Sequence, residues 1–137
     1  MVRFFSILFV LFCSSVYSQT EKIKVKKDKP ENKPFVTLYG KQKGEISLTK
    51  LCSNRKVIIN NNTEGLKIHH MVAVLKYPDL LVEYANHPDS IIDKVIFYML
   101  ERKDKGNFKL FLKDITAFRK DSSKVIFNTI ELLVTPD

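Results

Sequence analysis

The sequence predicts a mainly β protein, an immunoglobulin-like β-sandwich with one packed α-helix over about residues 89–103. Three observations predict it. Short apolar runs recur along the chain, each bounded by Gly, Pro, Asn or Asp, which is the punctuation of an all-β domain. One run, Leu66 to Lys76, is apolar on both faces, as a strand inside a covered sheet must be. Only Asp89 to Lys103 combines apolar residues at 3.6-residue spacing with helix start and stop signals.

At 137 residues with 45% hydrophobic content, the chain has length for one domain and tails. Residues 1–18 read as a signal peptide: Arg3, then a greasy run Phe4 to Phe12 broken only by Ser6, then Val16-Tyr17-Ser18 before a cut after Ser18. The run is shorter than the ~20 residues a spanning helix needs, so the mature chain is expected to be periplasmic or secreted, with no transmembrane span. Cys13 leaves with that segment. Cys52 then stands as a single thiol, and the core must hold the fold without an internal disulfide.

Residues 19–34 form a basic leader. Thr20 to Pro34 holds six Lys against three acids and only two apolar residues, a composition that favours a disordered spacer. The formal charge of +8 invites a tether to anionic surfaces, but no aromatic residues interleave with the lysines, which argues against nucleic acid as a partner.

The domain occupies residues 35–137. Phe35 to Tyr39 is a strand stopped by Gly40, Glu45 to Leu51 a second and Lys56 to Asn60 a third; Asn60 to Gly65 is a turn. Leu66 to Lys76 follows, then a turn at Tyr77-Pro78-Asp79 and a short strand Leu80 to Ala85. Asp89 and Ser90 are N-cap residues for the helix, which sets Ile92, Val95, Ile96 and Met99 on one face. Arg102, Lys103 and Lys105 suit its last turn, and Gly106 its stop. From Phe108 the period becomes two: Phe108, Leu110 and Leu112 alternate with Lys109, Phe111 and Lys113. A polar connection over 117–124 leads to a last strand with Ile126, Ile130, Leu132 and Val134 on one face.

Chemistry is sparse. His69-His70 on a strand point to opposite faces and cannot share one ion without a bulge, and their spacing fits no zinc pattern. Cys52 as a nucleophile would need a base such as His70 nearby. The acids Glu45, Glu64, Glu83, Asp93, Glu101, Asp114 and Glu131 are scattered singly, and phosphate loops, dinucleotide fingerprints and nucleophile elbows are missing. The expectation is no enzyme, no metal and no cofactor. A domain of this kind acts through edges and exposed aromatics, and Phe97, Tyr98 and Phe111 are the candidate partner contacts.

Lys105-Gly106, Phe111, Asp114-Ile115, Asp121 and the strand Ile130, Leu132, Val134, preceded by Gly44-Glu-Ile-Ser-Leu-Thr-Lys-Leu51, together resemble the C-terminal domain of GldM, the periplasmic shaft protein of gliding motility and type IX secretion. The likeness spans roughly residues 40–134. It implies an exported protein-interaction domain that contacts envelope or secretion-machinery proteins. The alternative is a periplasmic domain binding a small ligand or glycan, motivated by the aromatic content and the basic leader.

Overall fold

The computed structural model describes residues 32–86 and 89–137; the expected signal peptide and most of the basic leader lie outside them. Asn32–Asp137 is one compact unit. It is mainly β, and among the described residues no helix is long and apolar enough to cross a membrane.

β1 (Phe35–Leu38) reverses at Tyr39-Gly40, whose φ values of 53° and 72° make the left-handed pair that a two-residue hairpin turn demands. Reciprocal backbone hydrogen bonds between Leu38 and Lys41, 2.9 and 3.0 Å, close it. β2 (Lys43–Ser47) follows, and it is shorter than the strand expected to reach Leu51. Ser47 Oγ accepts from Lys50 N–H at 3.3 Å and starts a short helix, α1 (Leu48–Ser53), so the Ser-Leu-Thr-Lys stretch reads as a cap and first turn. Leu48 and Leu51, three apart, are the residues α1 buries.

β3 (Val57–Asn60) pairs antiparallel with β1 as a two-stranded sheet. Asn62 closes the predicted turn by exchanging side-chain hydrogen bonds with Leu66 N–H (2.7 Å) and C=O (2.8 Å). The large sheet then takes β4 (Lys67–Lys76), β5 (Leu81–Asn86), β6 (Phe108–Phe118), β7 (Lys124–Ile126) and β8 (Ile130–Thr135). Its order is β2-β8-β6-β4-β5, with β7 also on β6; β2 and β8 run parallel and the other pairs antiparallel.

The helix is α2 (Asp93–Glu101), and it starts later than predicted. Asp89 and Ser90 do not cap it. Asp89 C=O accepts from Val57 N–H at 2.8 Å and Ile91 N–H donates to Arg55 C=O at 3.1 Å, so 89–91 runs extended along the small sheet. Backbone pairing to β3 outcompetes the cap, and Asp93 becomes the first-turn acid, ion-paired with Arg55. The predicted face holds: Val95, Ile96 and Met99 are buried and Ile92 packs against them. A 3-10 turn, Lys103–Lys105, ends at Gly106 with φ 84°, the glycine stop.

One apolar cluster joins the small sheet, both helices and one face of the large sheet through Leu38, Leu51, Met71, Leu75, Met99 and Leu110, none more than 1% exposed. β4 has neighbours on both sides, as its two-faced pattern required. Its second face is closed differently from expectation, however. Val72 and Val74 are 7% exposed but lie outside the core cluster, flanked in register by Lys113, Phe111, Ala85 and Glu83. The last strand is also interrupted. Phe127 N–H donates to Ile115 C=O at 2.9 Å and its ring turns inward, leaving Ile126 68% exposed while Ile130, Leu132 and Val134 stay buried.

Leu132→Ala should therefore cost about 2–5 kcal/mol in urea unfolding, whereas Ile126→Ala should stay within ~0.5 kcal/mol of the parent. Equal costs would mean that the strand is continuous and Ile126 is core.

Candidate functional site

Three tyrosines, Phe108 and two cations meet at one corner, where α2 covers the β4–β5 hairpin. Tyr77, just past the end of β4, is buried and stacks on Phe108 with centroids 4.7 Å apart. Tyr98 meets it edge-on at 6.2 Å and meets Tyr84 of β5 at 6.0 Å. Four residues on from Tyr98, Arg102 lays its guanidinium over both rings, 4.6 Å from Tyr77 and 5.8 Å from Tyr98. Arg102 Nη2 is held by Asp79, donating to its two carboxylate oxygens at 2.9 and 3.1 Å. That bond keeps the Asp79 carboxyl below its ordinary range. Lys94 completes the corner 5.7 Å above the Tyr84 ring.

This corner contains two of the three predicted contact residues. Phe97 projects outward from α2, 68% exposed, as an interface anchor should. Tyr98 points the other way into the aromatic cluster, half-buried, and acts as a packing residue. Phe111 is elsewhere, half-buried on the outer face of the large sheet between Val74 and Glu131 in register. In the sequence Arg102 reads only as a last-turn cation, Tyr77 only as part of a turn, and Tyr84 carries no signal; the Tyr98–Arg102 spacing of four on a helix is the clue to the corner.

The other candidates fall apart from one another. Cys52 lies on α1 beside a cleft of about 470 Å³ lined also by Leu48, Leu100, Lys103 and Pro136. Burial pushes its thiol up, the reverse of an activated nucleophile. His70 lies on β4, and no described histidine lines the Cys52 cleft. A bulge does sit at the histidine pair: His69 is exposed with its ring 5.4 Å from Phe118, and His70 is half-buried. Among the described residues no group of three His, Cys, Asp or Glu could hold a metal ion.

Comparison of the chain with protein-family models, with curated proteins and with solved structures gives no match in any of the three.

Tyr77 Oη is buried and has no hydrogen-bond partner among the described residues, and burial raises its pKa from 10.0 to about 12. The unfolded chain loses this proton first, so the stability held below about pH 10 declines as pH climbs toward about 12. Tyr77→Phe removes an unsatisfied hydroxyl, and unfolding at pH 7 should show it neutral or about 1 kcal/mol stabilising. The variant should also lose part of the alkaline decline. A clear loss of stability at pH 7 would show that the hydroxyl has a bonding role.

Proposed function

We propose that this chain is an exported, non-enzymatic protein-interaction module of the kind found at the C-terminus of GldM, contacting a cell-envelope or secretion-machinery protein. In this reading the signal is cut after Ser18 and the domain works in the periplasm or beyond. The observation that carries it is the exposure of Phe97, with Leu100 of α2 and with Leu80 and Leu81 at the β5 end of the hairpin, all at least 40% exposed. A helix with a filled inner face and a large ring held outward has a surface prepared for an apolar partner.

The finer fold reading belongs with it: the two sheets form an immunoglobulin-like sandwich in which α2 takes the place of strands of the smaller sheet. Supporting this, the path β8-β6-β4-β5 has the order of the G-F-C-C′ sheet of variable-type domains, and β1-β3 that of strands A and B. Residues carrying the resemblance also occupy special backbone positions, Gly106 at φ 84° and Asp114 at φ 53°. Where the chain follows the pattern, it does so at positions that geometry constrains.

The test is recovery of a partner from envelope extracts with the tagged chain. Wild type should retain a defined protein, and Phe97→Ala should weaken that binding by about tenfold or more with an unchanged unfolding midpoint. Recovery of no protein above background, together with heat-denaturation shifts induced by envelope sugars, would replace this reading with the ligand-binding one.

A further inference from the structure

A strand at the rim of a sheet carries unpaired backbone groups, and folded proteins usually blunt such rims with charge, proline or a bulge. The two rims of the large sheet differ in this respect. β2 opens with Lys43, a kinked Gly44 at φ 123° and Glu45, all exposed. β5 is six residues long, carries one charge, Glu83, already ion-paired with Lys113 at 3.1 Å, and keeps unbroken register with β4 from Lys76↔Leu81 to Met71↔Asn86.

Which groups β5 leaves free follows from the hairpin. Tyr77 N–H donates to Leu80 C=O at 2.8 Å, so this is a hydrogen-bonded pair. Bonded and non-bonded pairs alternate along an antiparallel ladder. Val82, Tyr84 and Asn86 therefore turn their backbone groups to β4, while Leu81, Glu83 and Ala85 turn theirs away from the sheet. Leu81 is 60% exposed beside this row, and Lys94 of α2 reaches the Tyr84 ring of the same strand. Lys76, paired with Leu81, and Lys94 flank β5, and neither is ion-paired with a described carboxylate.

Resting on the interaction reading above, we propose that β5 is the docking edge, and that it takes an extended acidic segment of a partner protein as an added strand. The partner backbone bonds to Leu81, Glu83 and Ala85; its carboxylates turn to the α2 side, where Lys94 lies over Tyr84, and its alternate apolar side chains lie against Leu81 on the other face. Charge selects this occupant. A second copy of a chain with formal charge +8 brings the same sign, and symmetric pairing centred on the free row sets Glu83 against Glu83.

The probe is a synthetic peptide of alternating valine and glutamate, with a valine–lysine peptide as counter-probe, titrated into the isotope-labelled full chain. Amide signals of Leu81, Glu83, Ala85 and Lys94 should respond to the first peptide alone. Glu83→Pro removes one outward donor without touching the β4 ladder and should weaken binding by about tenfold or more, whereas Glu83→Ala keeps the donor and the binding. Ala85→Pro, at another outward position, repeats the test should Glu83→Pro not fold. A response at Lys43–Ser47, equal response to both peptides, binding that survives the proline variants, or pairing of two copies through β5 would each overturn the proposal. If the proline variants retain an envelope partner that Phe97→Ala loses, the edge assignment fails and the interaction reading stands; if no form recovers a partner, the interaction reading fails.

Discussion

The long β4–β6 ladder sets the core face on which every other element depends. It contains two irregularities of opposite sense. Between Ile68↔Ala117 and His70↔Thr116, β4 advances two residues while β6 advances one; between there and Val72↔Lys113, β6 advances three while β4 advances two. Each strand thus carries one extra residue, and pairing returns to step. The result is that Ile68 and Met71, three apart, both reach the core, as do Leu112 and Ile115. Asp114 absorbs its share with φ 53°, a conformation that Asp tolerates better than β-branched or bulky residues. Without that compensation a slip on one strand would turn its remaining apolar side chains to the wrong face.

The polar surface follows from the same ladder. Glu83–Lys113 and Lys109–Glu131 ion pairs, each 3.1 Å, cross the outer face over Val72, Val74 and Phe111. Exposed pairs of this kind add little stability individually. Their lysine and glutamate stems nevertheless cover apolar surface on a face where no described residue of the core cluster lies. At the α2 corner the balance differs, because Arg102 sits over two rings and orients them with help from Asp79.

Much of the fold was legible from periodicity and punctuation. The apolar face of α2, the stop at Gly106, the Asn60–Gly65 turn and the alternation at the start of β6 are local signals, and local structure obeys them. What could not be read depends on distant partners. Asp89 and Ser90 look like caps until β3 offers backbone groups to pair with, and Ile126 looks like core until the bulge on β6 interrupts the strand opposite. Leu48–Ser53 failed for a third reason: a six-residue run has too few turns for its period to separate helix from strand. Of the candidate contacts, Phe97 and Tyr98 are neighbours in sequence with opposite fates, since only the packing of α2 against Tyr77 and Tyr84 decides which ring is enclosed.

The parallel pairing of β2 with β8 has a kinetic side. It joins residues 43–47 to residues 131–135, and Thr49 N–H is capped by the Asp137 carboxylate across a sequence separation of 88. Closing so large a loop costs chain entropy before any contact is gained, which makes this a late event in folding. A ribosome that releases the chain from its N-terminus therefore holds a protein in which the first strand of the large sheet waits, unpaired, for the last one to emerge.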